Sequence, residues 1–278
     1  MEAKPPLSRV LFATDLSHDG DLAFAHALRV ALAARGELAI VHAGPRDLVG
    51  KEWEQFPRVR ASLAGWGLLE LGAPPSAVLD QLGLHVRKID VPDPDPLHGV
   101  TDVLEHRPCD LVVLASQARQ GVDRWLHPSL AEPIARQAHT PTLTLPPSAQ
   151  GFVDPKTGAV SLLNVLVAVD HRPSAARALT TIADLTAMLG ARGAIIHLLH
   201  VGDRFPEMPV PEAIAARVRT RQQAGPIVEA IIDTAAEVEA DLIVMATRGH
   251  DSLFDSLRGS TTEQVLRQAD CPVLAVPT

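Results

Sequence analysis

The sequence has 278 residues and a net charge of −8, with 46% hydrophobic and 21% charged residues. This composition excludes a largely disordered chain, and at about 150 residues per domain the length predicts two domains. The acidic balance, together with three Trp, six Phe and no Tyr, argues against nucleic acid as a partner, because such proteins need basic surfaces and stacking rings.

The start of the chain and its apolar runs predict a soluble cytoplasmic protein with no membrane partner. The first ten residues, MEAKPPLSRV, lack the apolar stretch of a secretory signal. The most apolar runs, such as 162–169, are far shorter than the roughly 18 residues that cross a bilayer. The two cysteines, Cys109 and Cys271, are too few for a disulfide framework and are interpreted as buried, unreactive thiols.

Strands and helices alternate along the chain. Continuous apolar runs predict strands buried on both faces, and apolar residues three and four apart predict helices between them. Because this alternation implies right-handed crossovers, the expected fold class is α/β with a parallel sheet. In chain order the predicted strands are 10–14, 38–43, 111–115, 165–169, 195–201, 242–246 and 272–276, and the clearest helices are 99–105, 175–189 and 226–239.

The chain is a duplication of one unit. The 37 residues that begin at Asp110 align without a gap with the 37 that begin at Asp241, and thirteen positions are identical. The starts of the two units also match, from Arg9 in the first and from Asn164 in the second. Self-similarity over this length predicts two homologous domains.

A segment rich in Pro, Gly and Ser separates the two units and is interpreted as a linker. A β-hairpin decoration is the alternative for the same residues. The predicted division is therefore an N-terminal domain, a linker and a C-terminal domain, at 1–147, 148–161 and 162–278.

The turn after the first strand of each half is a candidate ligand site, because open parallel sheets bind ligands beyond the carboxyl ends of their strands. Both turns carry an acid, Asp15 and Asp170, but neither has the glycine pattern of a dinucleotide site, and the chain contains no P-loop. A carboxylate here can accept hydrogen bonds from the amino or hydroxyl groups of an adenosine. The alternative is helix capping by the acid or by the serine after it, Ser17 or Ser174.

The segment after the fourth strand of the second half carries another signal. Gly249 and Gly259 precede Ser260, which forms a capping box with Glu263 at a helix start. Glycines that lead into a helix N-terminus leave N–H groups available to an anion. The alternative is an ordinary capped helix.

The first half is an internal control for this segment. Ala118 and Pro128 stand where the second half has Gly249 and Gly259. Proline has no N–H group, and alanine disfavours positive φ. The anion site is therefore predicted in the second half and not in the first.

These features together resemble the universal stress protein family. Its nucleotide-binding members carry G-x2-G-x9-G-[S/T] after the fourth strand and Asp after the first, and this chain has Ala246-x2-Gly249-x9-Gly259-Ser260 with Asp170. The resemblance covers both halves and implies two tandem, doubly wound, Rossmann-like domains. Each would be a five-stranded parallel sheet of order 3-2-1-4-5 with helices on both faces. In that order the first and fourth strands are neighbours, so Asp170 and the glycine segment are expected to share one crevice.

The resemblance also implies how a nucleotide is held. Asp170 and the backbone of Val201 would face the adenosine, while Met245 and Ala246 would line the ribose. The chain departs from the family at Ala246, whose methyl group replaces the first motif glycine and is expected to narrow the site. The phosphates would be held by Gly249, Gly259, Ser260 and Thr261.

The resulting prediction is a cytoplasmic stress-response protein that binds ATP or a related adenine nucleotide such as AMP, with Mg²⁺ as a candidate companion, in its C-terminal domain. The N-terminal domain would be a degenerate copy that packs on the other as an intramolecular pseudo-dimer, and a homodimer stays open. The alternative is a scaffold for protein contacts with the same fold and no nucleotide. No nucleophile–base pair supports catalysis, so no catalytic residue is assigned and at most weak ATP hydrolysis is expected.

Two remaining features are assigned to packing. The twelve histidines lack metal-ligand spacing and are interpreted as satisfied core or rim residues, with no metal site; a ligand contact is the alternative for His171. The long insert of the first half, 49–72, contains Trp53, Phe56 and Trp66 and is interpreted as core or interface packing. A flap over a pocket or a partner surface is the alternative for the insert, and a further one is a small-molecule or metal sensor that uses the insert around Trp53 and the histidines.

Overall fold

One mixed sheet organises the chain in the computed structural model, which describes residues 5–16, 20–44, 56–116, 139–146, 149–247 and 260–278. In the first half the elements are β1 (Arg9–Ala13), α1 (Asp21–Ala33), β2 (Glu37–Gly44), α2 (Val59–Gly65), α3 (Ala77–Leu82), β3 (His85–Pro92), α4 (Pro96–His106), β4 (Leu111–Ala115) and β5 (Thr142–Leu145). In the second half they are β6 (Asn164–Ala168), α5 (Ala176–Met188), β7 (Ile195–Val201), α6 (Glu212–Ala215), β8 (Val218–Gln223), α7 (Ile227–Glu237), β9 (Leu242–Thr247), α8 (Thr261–Gln268) and β10 (Val273–Pro277).

The strand order is β3-β2-β1-β4-β5-β10-β9-β6-β7-β8. Counted within each half, this is the order 3-2-1-4-5, and every pairing inside a half is parallel. The expected α/β class with parallel strands is confirmed. Instead of two separate sheets, however, the halves form one ten-stranded sheet, because β5 and β10 pair antiparallel from Val273–Thr144 to Ala275–Thr142.

The antiparallel pairing of β5 with β10 sets the direction in which the candidate ligand site of each half faces. The strands of the first half run opposite to those of the second. Ligands bind beyond the carboxyl ends of parallel strands. Because those ends point in opposite directions in the two halves, the candidate sites lie on opposite sides of the sheet along the strand direction.

Helices cover both faces of the sheet, and one face carries a core common to both halves. Strand side chains alternate between the faces, so Phe12 and Val167 enter the common core while Leu11 and Leu166 enter the separate cores of the other face. The two halves therefore share apolar burial as well as a strand pairing. Among the described residues, no helix has both the length and the apolarity needed to cross a membrane.

Helix α4 shows how local sequence sets an element boundary. The Oδ1 atom of Asp95 accepts hydrogen bonds from the backbone N–H groups of Leu97 at 3.0 Å and His98 at 3.4 Å. Pro96 occupies the first helical position, where its missing N–H costs nothing. The helix therefore begins three residues before its predicted start at Gly99.

The segment that joins the halves is ordered in the described part, 149–163. Val153 and Val160 form an antiparallel bridge, and the indole Nε1–H of Trp66 donates to the carbonyl of Pro155 over 3.1 Å. The connection is thus a short β-bridged turn held against the end of α2. The domain limits drawn from the sequence stay a prediction.

The packing interpretation of the insert is confirmed where the structure describes it. Phe56 is 1% exposed in the common core, and Trp66 packs partly buried beside the joining segment. Trp53 lies outside the described residues.

Both thiols are free; Cys271 is buried as predicted, whereas Cys109 is only partly buried. Burial raises the pKa of Cys109 to about 11 and that of Cys271 to about 12. Because the thiolate is the nucleophile and the metal ligand, these raised pKa values disfavour the reactive form of both cysteines at neutral pH.

Candidate functional site

Three neighbouring strand ends define the candidate site in the second half. Strand β6 lies between β7 and β9, and its last residue, Ala168, pairs with Leu199 on one side and Met245 on the other. Asp170 follows β6 by two residues, so this register sets it beside the end of β7, at Val201, and the end of β9, at Thr247, one residue after Ala246. The strand order reverses at β6, which is where open α/β sheets bind ligands.

Asp170 is exposed, and its carboxylate caps no helix, so of the two capping residues in the alternative interpretation only Ser174 remains. Its Oδ1 atom accepts a hydrogen bond from the backbone N–H of the adjacent His171 over 2.7 Å. Helix α5 begins after Ala175 without a side-chain cap, and Ser174 Oγ accepts from the N–H of Ala176 over 3.3 Å. Among the described residues no other donor engages Asp170, so the carboxylate is available to a ligand.

The wall next to Asp170 is built by a buried histidine at the end of β7. The carbonyl of Val169 can only accept, so His200 donates its Nδ1–H to that carbonyl over 3.1 Å. The ring meets His171 edge-on at 5.5 Å and Phe205 at 5.9 Å between centroids. The hydrogen bond ties the end of β7 to the turn that carries Asp170, which fixes the direction of that turn.

A glycine two residues after this histidine is required by the same packing. A Cβ atom at Gly202 would lie 2.7 Å from Nε2 of His200, and the residue has φ of +154°. The first half repeats the arrangement, since a Cβ at Gly44 would lie 3.0 Å from Nε2 of His42. Sequence reasoning missed this feature, although the repeated His-x-Gly pattern at 42–44 and 200–202 was the signal for it.

His171 and His42 also contact backbone carbonyl groups near the strand ends. The Nε2 atom of His171 lies 2.9 Å from the carbonyl of Arg204, which links the turn after β6 to the loop after β7. In the first half, His42 Nδ1 lies 3.1 Å from the carbonyl of Thr14, matching the bond of His200. The interpretation of satisfied histidines is wrong in two places, because His42 Nε2 and both ring nitrogens of His197 are buried without a partner among the described residues.

The two strand residues expected to line the ribose differ in orientation. Met245 is 6% exposed and packs into the second-half core with Val265 of α8. Ala246 is partly buried on the opposite face, against the common core. Met245 can therefore contribute only its backbone at the site edge, whereas the methyl group of Ala246 is a candidate contact.

Helix α8 begins as the capping box predicts. Ser260 Oγ accepts a hydrogen bond from the backbone N–H of Glu263 over 3.1 Å, and Glu263 pairs with Arg267 one turn later. The hydroxyl hydrogen of Ser260 and the first N–H groups of the helix, from Thr261 onward, are the donors that an anion would use.

Several predicted residues lie outside the described part of the chain. They are Gly249 and Gly259 of the glycine segment, and their first-half counterparts Ala118 and Pro128. Their convergence with Asp170 stays a prediction. By register the structure sets Asp170 level with Val201 and with Thr247, next to Ala246.

The described residues hold no cluster of three His, Cys, Asp or Glu side chains suited to a metal ion. Burial, with the positive charges of Arg221 and Arg219, lowers the pKa of His197. Cationic surroundings of this kind oppose the approach of a metal cation. The end of β6 offers one exposed carboxylate, which suits a ligand with polar hydroxyl or amino groups. Its convergence with the donors at the start of α8 stays a prediction.

Comparison with known proteins points to one family. The universal stress protein family model matches residues 6–146 and 207–277. A universal stress protein of Methanocaldococcus jannaschii is 38% identical over 65 residues, which cover 23% of this chain and 38% of that protein. A universal stress protein of Thermus aquaticus is 29% identical over 132 residues, which cover 40% of this chain and 96% of the other.

Solved structures show the same fold over nearly the whole chain. A universal stress protein of Archaeoglobus fulgidus aligns with 97% of this chain and 98% of its own, with a TM-score of 0.64 and 19% identity. A putative universal stress protein of Pseudomonas aeruginosa aligns with 97% of this chain and 93% of its own, with a TM-score of 0.58 and 17% identity. Both likenesses concern the fold alone.

Proposed function

Because the chain belongs to the universal stress protein family, we propose that it binds an adenine nucleotide in its C-terminal half and acts as a regulatory binding protein in the cytoplasm. The proposal rests on the carboxylate of Asp170, which is exposed, caps no helix and lies at the point where the strand order reverses. ATP is the proposed ligand. The same groups would also bind AMP or another adenine nucleotide.

Each group of the site has a distinct role in this proposal. Asp170 accepts hydrogen bonds from the hydroxyl or amino groups of the adenosine, beside the backbone of Val201. Met245 contributes backbone and Ala246 its methyl group at the ribose. The phosphates lie at the start of α8, held by Gly249, Gly259, Ser260 and Thr261, with Mg²⁺ on the phosphate oxygens.

The two halves are proposed to differ in function while sharing one sheet. In the first half, Pro128 removes an N–H group from the place of Gly259. Nucleotide in the second half would shift a conformational or association equilibrium by its different affinity for the two states. No catalytic residue is part of the proposal, and hydrolysis of ATP is expected to be slow at most.

The test compares the two equivalent acids by calorimetric titration of the full chain with Mg-ATP. Asp170→Ala removes the proposed adenosine contact, and Asp15→Ala makes the same change at the opposite edge of the sheet. We expect about a tenfold or greater loss of affinity in the first variant and unchanged affinity in the second. Equal affinities in both variants would contradict the site.

The methyl group of Ala246, which replaces the motif glycine, is the observation that favours an alternative function. If this methyl group closes the ribose subsite, the chain is a scaffold of this fold that makes protein contacts without nucleotide. The absence of any heat with Mg-ATP in the unmodified chain would support that alternative.

A further inference from the structure

A cleft at the far edge of the first half is separate from the site at β6. It lies between α2, α3 and the edge strand β3, and its volume is about 940 Å³. Clefts of this size are typical of small-molecule sites. Its inner wall is apolar and is formed by Val59, Ala64, Val78, Leu84 and Val86.

The charged side chains of the cleft, Arg58, Arg60 and Lys88, are all positive. Arg58, Arg60, His85 and Lys88 line it, and none of the described lining residues carries a carboxylate. The described part of the chain also provides no carboxylate in ion-pair contact with any of these four side chains. An apolar wall beside cations that have no ion-pair partner among the described residues is complementary to a molecule with an apolar body and a negative end.

Two of the cations are held in defined positions. Arg60 donates from its guanidinium to the carbonyl of Ala73 over 2.7 Å, across the gap between α2 and the loop before α3. The Nζ atom of Lys88 lies 5.5 Å from the ring centroid of the buried Phe56. Burial, with the charge of Arg60 as a second cause, lowers the pKa of Lys88. A half-buried ammonium beside a second cation and an aromatic face would be stabilised by an anion.

Exposed leucines stand at the mouth of the cleft. Leu71 is 93% exposed and Leu79 is 43% exposed, and both belong to its lining. Large apolar side chains left in water next to an apolar wall mark a binding surface more often than an isolated exposed residue does.

Between β7 and β8, where every residue is described, the second half has neither the lysine nor the helix pair that form this cleft. Lys88 pairs with Ile40 in β2, and the corresponding pair in the second half is Thr220 with Leu198. Between β7 and β8 the chain forms only the four-residue helix α6. The cleft and its lysine are therefore properties of the first half that the duplication does not explain.

We propose that this cleft binds an amphipathic carboxylate, with its single apolar chain between α2 and α3 and its carboxylate at Lys88 and Arg60. The apolar chain takes the place of water along the inner wall. The charged end supplies a counter-ion to these two cations, for which the described ranges of the chain provide none. This site is independent of the nucleotide site, at the opposite end of the sheet.

The test is calorimetric titration of the full protein with monomeric dodecanoate. A second titration uses dodecyltrimethylammonium, which has the same alkyl length and the opposite charge. We expect one dodecanoate per chain and weaker binding of the cation by about tenfold or more. Lys88→Thr copies the second-half residue and should weaken dodecanoate binding about tenfold. Arg87→Thr removes one positive charge from the same strand outside the lining and should leave the affinity unchanged.

A second variant blocks the apolar part. Ala61 is an exposed residue of α2 that lines the cleft, so Ala61→Trp should fill the space, abolish binding and leave the unfolding transition unchanged. Equal affinity for both probes, or affinity that neither Lys88→Thr nor Ala61→Trp changes, would overturn the proposal. So would the absence of dodecanoate binding, including the case in which the chain binds only anionic phospholipid vesicles. Unchanged dodecanoate binding in Asp170→Ala is expected, because the two sites are separate.

Discussion

Val153 donates its backbone N–H to Nε2 of His26 over 3.2 Å, so the segment that joins the halves is bonded to the first helix of the fold. The other ring nitrogen of His26 donates to the carbonyl of Leu22 over 2.8 Å. The ring of Phe152 lies edge-on to the imidazole at 4.4 Å between centroids. Both bonds require a neutral imidazole with its proton on Nδ1, because an N–H group can only donate and a carbonyl can only accept.

The first prediction concerns the pH dependence of stability. Burial lowers the pKa of His26 to about 4, against about 6.5 in the unfolded chain. Between these two values the unfolded chain binds more protons than the folded one. The free energy of unfolding should therefore fall as the pH drops from 6.5 to 4, by about 3 kcal/mol from this group, as measured by urea unfolding.

The matched variants for this prediction separate His26 from the other histidines. His26→Phe removes the titrating group and should flatten the dependence between pH 6.5 and 4, even though it leaves Val153 N–H without its acceptor. His106→Gln changes an exposed histidine and should keep the slope of the unmodified chain. An unchanged slope in His26→Phe would show that the group does not titrate as described.

The second prediction concerns the turn of the joining segment. Gly158 has φ of +68°, and a Cβ atom there would lie 2.4 Å from the ring of Trp66. Gly158→Ala should lower the free energy of unfolding by about 1–3 kcal/mol, because it adds a clash to a strained backbone. Gly193→Ala is the control, since no atom lies within 4 Å of its added Cβ, and a loss of the same size there would contradict the explanation.

The third prediction concerns the proposed phosphate cradle. Gly259→Pro copies Pro128 of the first half and removes an N–H group from the entry to α8. Mg-ATP binding should be lost in calorimetric titration while the circular dichroism spectrum is retained. Unchanged affinity in a folded variant would eliminate the cradle as the phosphate site.

The fourth prediction concerns the departure from the family motif. Ala246→Gly restores the motif glycine and removes a methyl group from the ribose edge, so the affinity for Mg-ATP should increase severalfold. Ala115→Gly makes the equivalent change in the first half and should leave the affinity unchanged. Equal or weaker binding in Ala246→Gly would show that the methyl group is not in the way.

Much of the fold could be predicted because its signals are local or repeated. The strands around Val165 and Leu242 are continuous apolar runs, and the match between Asp110 and Asp241 reveals the duplication. The fusion into one sheet was not predictable, because antiparallel pairing of Thr142–Leu145 with Val273–Pro277 leaves no pattern in either strand alone.

In the candidate site, too, some features could be predicted from short sequence patterns and others could not. The position of Asp170 after a strand and the helix cap at Ser260 could be predicted, because a strand end and a capping box are short patterns with a defined geometry. The bond between His200 and Val169, and the cleft beside Lys88, depend on residues far apart in the chain. Such contacts arise from the packing of whole elements and cannot be deduced from spacing.

The most direct measurement of the central claim is the adenine nucleotide content of the purified chain, by denaturing extraction and mass spectrometry, with the stoichiometry of added Mg-ATP measured by calorimetry. One nucleotide per chain is the predicted result, with the N-terminal half inactive. Two per chain would contradict the degenerate first half. No nucleotide and no heat at millimolar Mg-ATP would contradict nucleotide binding altogether.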